Sequence, residues 1–164
     1  MKRAVLIIVA VLVICPITSF GQGTPIELTD KITSLAGLWI HDPAKGVSAA
    51  CGGSTIDKTI RIRVSPQGVN VESERLNALL PLDGGPVTVR DSTVATAALD
   101  AGWLAVTIRV TRPATTNVFR DVYIATGDEL TIWRTFNIES PDGSLSQRIA
   151  CANREAVVYR RQRA

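Results

Sequence analysis

The chain has 164 residues, of which 46% are hydrophobic and 20% charged, with a formal net charge of +3. That length fits one domain with a full core and excludes a small scaffold that depends on many disulfides. Lys2 and Arg3 supply two of the three excess charges, and the other arginines are scattered among acids, so charge makes no case for nucleic-acid or anionic-membrane binding.

Residues 1–21 carry the pattern of a secretory signal peptide. The positive Met1-Lys2-Arg3 precedes eleven apolar residues, Ala4 to Ile14, and then the stretch Pro16 to Gly21. Ser19 and Gly21 are the small residues expected before a cut, which places cleavage after Gly21. The apolar run falls short of the roughly 20 residues that span a bilayer. Ile14, bulky and β-branched, argues against lipid attachment at Cys15. The expectation is an exported protein, periplasmic or extracellular. Residues 22–164 then form a single domain with no membrane attachment after cleavage. Removing Lys2 and Arg3 leaves 16 basic residues against 15 acidic, a nearly neutral product.

A short helix is expected within 25–36. Thr29 or Asp30 can cap it, and Ile32, Leu35 and Leu38 have near-helical spacing. From there the chain reads as short alternating strands. Ile60, Ile62 and Val64 share one face, Ser65-Pro66-Gln67-Gly68 turns the chain, and Val69 and Val71 resume that face. This register sets Arg61 opposite Glu72 on the wet side. Residues 77–86, with two prolines and two glycines, read as a loop over one end of the sheet. Ala95, Ala97 and Leu99 then face Leu104, Val106, Ile108 and Val110 across a turn at Asp100 to Trp103. Small alanines opposite large aliphatics leave space, to be filled by another layer or kept as a cavity.

The clearest hairpin runs from Asn117 to Ala125 and from Leu130 to Glu139, around Gly127-Asp128. A two-residue turn there requires positive φ at the glycine. The register pairs Phe119 with Phe136, Asp121 with Arg134 and Tyr123 with Ile132 on one face. An ion pair between aromatic rungs is either a structural salt bridge on a buried or solvated face, or a polar anchor in a ligand cavity. Pro141 to Ser144 makes a further turn, and Leu145–Ala152 and Glu155–Arg161 read as the last two strands. Cys51 and Cys151 are the cysteines left after cleavage. In an oxidising compartment they are expected to bond, closing a loop for which chain entropy gives about 4–5 kcal/mol.

Eight to ten strands in sequential hairpins call for an up-and-down antiparallel sheet, and closure into a barrel removes its exposed edges. A two-layer sandwich is the alternative. Leu35-Ala36-Gly37-Leu38-Trp39 opens the first strand with G-x-W, and the last strand carries Val158-Tyr159-Arg160-Arg161. These residues resemble the lipocalin-like (calycin) barrels, and in particular small exported bacterial proteins of that type. The resemblance implies that Trp39 closes one end of the barrel and that a late basic residue, Arg161 or else Arg160, lies over its ring. The T-D-Y motif of classical lipocalins is absent, which points to a shorter relative.

No catalytic constellation follows. His41 is the only histidine and reads as a surface residue at a strand end. No C-x-x-C or G-x-S-x-G is present, and Ala50 to Ser54 lacks P-loop spacing. The chain therefore reads as a non-enzyme with no cofactor and no metal. The leading reading is a binding module holding a small apolar or amphipathic ligand, lined by Val106, Ile108, Phe119, Asp121, Tyr123, Arg134 and Phe136. The alternative is a protein-interaction module, such as an inhibitor of a secreted hydrolase or a cell-envelope partner, acting through loops 43–56 and 77–86.

Overall fold

A computed structural model describes residues 30–46, 56–142, 145–147 and 155–163. The signal segment 1–21, Cys51 and Cys151 lie outside these residues. The described residues form a short helix, α1 (Asp30–Thr33), and eleven strands. These are β1 (Gly37–Gly46), β2 (Thr59–Ser65), β3 (Gly68–Glu72), β4 (Asn77–Leu80), β5 (Val87–Arg90), β6 (Thr93–Asp100), β7 (Trp103–Thr111), β8 (Thr116–Thr126), β9 (Glu129–Glu139), β10 (Leu145–Gln147) and β11 (Glu155–Arg161).

Ten strands follow the order β4-β3-β2-β1-β11-β9-β8-β7-β6-β5, all antiparallel, and β10 pairs beside β11 on β9. The sheet curls into a nearly closed up-and-down barrel. β4 and β5 lie side by side without a ladder. That seam is tied by Arg90 Nη2 donating to the Arg75 carbonyl at 2.9 Å and by a bridge from Asp83 to Ala98.

Side chains alternate as a half-buried sheet requires. Ile60, Ile62, Val69, Val71, Ala95, Ala97, Leu104, Val106 and Ile132 all point into one buried cluster. Ala95 and Ala97 of β6 are buried opposite Ile108 and Val106, so the space beside them is closed to solvent. The hairpin at Gly127 has the expected register along its whole length, and Gly127 takes φ of +59°.

Three expectations need correction, and the register of Arg61 opposite Glu72 holds with its ion pair made by a neighbour. Residues 77–80 are not loop: β4 pairs with β3, Val69 against Leu80 and Val71 against Ala78, because Leu80 has a buried site to fill. The loop is confined to 81–86. Arg61 does stand opposite Glu72, yet the ion pair to Glu72 comes diagonally from Arg63. Among the described residues β10 and β11 do not pair with each other; β11 inserts between β9 and β1 and joins the two halves of the sheet. His41 is half-buried within β1, its ring edge-on to Tyr159 at 5.7 Å, and the strand continues past it through an irregular stretch containing Pro43.

Strand direction sorts the connections between two ends. At the helix end lie α1 and the turns at 66–67, 101–102 and 127–128. Residues 56–58, 73–76, 91–92 and 112–115 lie at the loop end.

The helix end is sealed. A four-residue helix is far too short to hold itself, so packing and side-chain bonds hold α1. Ile32 and Leu35 are buried beneath it with Trp39. Three successive carbonyls are then occupied. Arg161 Nη2 donates to Ser34 at 2.8 Å, Trp39 Nε1 to Leu35 at 2.8 Å and Arg161 Nη1 to Ala36 at 2.5 Å. The Arg161 guanidinium carbon stands 4.2 Å from the Trp39 ring centroid, a cation–π contact of about 0.5–2 kcal/mol. Arg160 points outward to Asp42 at 2.5 Å. Gly37 has φ of +151°, and a Cβ there would sit 2.8 Å from Arg161 Nη1, so the glycine of G-x-W makes room for the arginine. Lys31 fastens the other side of α1, its Nζ lying 4.6 Å above the Trp103 ring.

Candidate functional site

Three adjoining rungs cross β7, β8 and β9 on the inner face toward the loop end. Ile108, Phe119 and Phe136 form the outermost, Val106, Asp121 and Arg134 the next, and Leu104, Tyr123 and Ile132 the innermost. All seven side chains singled out as ligand-lining fall in these rungs. Phe119 and Phe136 stack with centroids 4.7 Å apart and planes at 25°. Beneath them Arg134 grips Asp121 with both arms of its fork, Nε to Oδ1 at 2.7 Å and Nη2 to Oδ2 at 2.8 Å. Asp121 is 1% exposed and Arg134 2%.

Two further residues complete this charged layer. Arg75 Nη2 approaches Asp121 Oδ2 at 3.4 Å, while its Nε donates to Asp57 Oδ2 at 2.8 Å and its backbone N–H to Asp57 Oδ1 at 3.0 Å. Asp57 has no exposed surface. The short turn at 73–76 aims Arg75 inward: the Ser73 hydroxyl accepts from the N–H groups of Arg75 and Leu76, and Ser73 N–H donates back to the Leu76 carbonyl at 2.7 Å. Two guanidinium groups and two carboxylates leave the layer with no formal net charge. Such an arrangement is tolerated in a low-dielectric interior because every ion has a partner in good geometry.

The neighbouring phenols are held neutral. Burial pushes Tyr123 well above the usual range for tyrosine, and the negative charge of Asp121 adds to the rise. Tyr159 is raised in the same way, first by burial and then by Asp57. With both carboxylates engaged by guanidinium donors and both phenols protonated, the layer offers fixed polarity and no ready nucleophile or base. Among the described residues no cluster of three His, Cys, Asp or Glu side chains is placed to hold a metal ion.

The rungs differ in depth. Val106, Tyr123 and Ile108 belong to the packed core, whereas Phe119 is half-buried at its margin. Trp39 and Arg161 are at the opposite end and belong to its closure. Asp57 and Arg75 were not singled out in the sequence. Both lie in irregular segments between strands, where no periodicity reports which way a side chain points, and Asp121 with Arg134 already makes a balanced pair that calls for no third partner.

Comparison of the chain with protein-family models, curated proteins and solved structures finds no match. The functional reading therefore rests on the site itself.

Proposed function

We propose that this chain is an exported small binding protein that receives a small apolar or amphipathic molecule at the loop end of its barrel. One observation carries the reading: a self-neutral layer, Asp57, Arg75, Asp121 and Arg134, lies under a stacked phenylalanine pair at the end that α1 does not seal. The phenyl rings offer an apolar platform. The ions below supply a fixed polar floor at no net charge, which suits a ligand with an apolar body and a single polar group. Among the described residues Trp39, Ile60, Ile62, Leu104 and Tyr159 fill the helix half of the interior, which favours the loop end for entry.

Calorimetric titration of the full chain with lauric acid, dodecanol and a hydrophobic naphthalene dye tests this reading. At least one should bind saturably, and Phe136→Ala should weaken it by about tenfold, the worth of one well-packed ring. Heat without saturation for all of them removes the reading. Its export component has a separate check. The mature protein should begin at Gln22 and contain no titratable thiol, since Cys51 and Cys151 would be bonded; free thiols in protein recovered from the cell exterior would contradict that component.

A further inference from the structure

One rung of the outer wall of the barrel is apolar where solvent-facing strands are ordinarily polar. Ala98, Ala105, Val122, Trp133 and Ala156 stand in register across β6, β7, β8, β9 and β11. Trp133 is 38% exposed, while Trp39 is fully buried. Beside it is a depression of about 290 Å³ whose floor is Val122 and Ile124. The indole forms one wall. The other is an ion pair, Arg120 Nη2 to Asp100 Oδ2 at 2.5 Å, with the Thr135 side chain also on the lining. Arg120 on β8 reaches Asp100 at the end of β6 across β7.

The chemistry of these walls narrows the ligand. Arg120 and Asp100 cancel in charge, so nothing selects a net anion or cation. Neither is spent by its partner: among the described residues Arg120 Nε and Nη1, Asp100 Oδ1 and Trp133 Nε1 make no further hydrogen bond. The site thus offers several donors and an acceptor on one side and a flat, electron-rich apolar face on the other. A pyranose ring matches both. Its C–H face packs on an indole, and one hydroxyl can donate to Asp100 while accepting from Arg120. The volume lies near the low end for small-molecule sites, about 300 Å³, and suits one or two sugar rings.

We propose that this depression binds a neutral oligosaccharide. The site is on the outside of the wall and independent of the loop-end interior.

Titration of the full chain with N-acetylglucosamine tetramer, maltotetraose and cellotetraose, followed by tryptophan emission and calorimetry, tests the proposal. At least one sugar should shift the emission to the blue and saturate. Trp133→Leu should abolish the calorimetric signal, and Arg120→Gln should weaken binding by about tenfold, as expected for one charge-assisted hydrogen bond. Both variants alter exposed side chains and should keep the parent melting temperature. No saturable response to any of these sugars overturns the proposal, as does equal affinity in Trp133→Leu. An emission shift that follows protein concentration in the absence of sugar also overturns it, because a second copy of the chain would then cover this wall.

Discussion

At the helix end Arg161 places its guanidinium on two backbone carbonyls and the face of an indole; at the loop end Arg75 and Arg134 place theirs on carboxylates. Both ends bury arginine, by different means. The carbonyls are neutral and belong to a segment that must find donors in any case, so the arginine there works as a clasp on α1. The carboxylates carry charge that is costly to desolvate, so each ion at the loop end is needed chiefly because the other is present. The helix end should therefore fail through lost packing, and the loop end through an ion left alone.

Trp39→Ala should show the largest loss, about 3–5 kcal/mol in denaturant unfolding, because it removes a buried indole and the donor to Leu35. A loss below about 1 kcal/mol would mean the end is not sealed by this ring. Asp121→Leu alone should cost about 3 kcal/mol, and adding Arg134→Met should recover most of it, since the two ions leave together. A double variant no better than the single would contradict the neutral-layer account. Arg161→Met should cost about 2 kcal/mol through lost carbonyl bonds and ring contact, against no more than about 1 kcal/mol for Arg160→Met. Equal effects would remove the distinction between the two arginines.

Alkaline titration probes the buried phenols, since both Tyr123 and Tyr159 are raised by burial. Tyr123 keeps its proton in the folded state above the ordinary value of 10.0, so the unfolded chain loses that proton first. Stability contributed by the neutral phenol is complete below about pH 10 and declines as pH rises beyond it. Tyr123→Phe should make that decline shallower in unfolding curves measured on either side of pH 10. The smallest effect belongs to the turn at 101–102, whose Ala101 carbonyl accepts from Lys31 Nζ at 3.4 Å. Ala101 has φ of +50°, and Ala101→Gly should raise stability by about 0.5 kcal/mol, as relief of left-handed strain outweighs the added chain entropy.

Strand patterning made the barrel legible because alternation reports directly on a half-buried sheet. Phe119 opposite Phe136 and Asp121 opposite Arg134 follow from a two-residue turn at Gly127 and nothing else. The G-x-W resemblance carried the Trp39–Arg161 contact, in which a residue near each end of the described chain meets the other. Loops were opaque. Asp57 and Arg75 sit where backbone direction is set by tertiary contacts such as the Ser73 turn, and four residues of β4 were hidden among prolines and glycines. The position of β11 was also out of reach, since alternation identifies a strand without naming its neighbours.

Backbone amide shifts of the full chain during titration with lauric acid or dodecanol bear most directly on the contrast between a sealed helix end and a receptive loop end. Saturable changes should gather at 106–108, 119–121 and 134–136 and leave 35–39 in place. Changes centred on Leu35 to Trp39, or none that saturate, would contradict it.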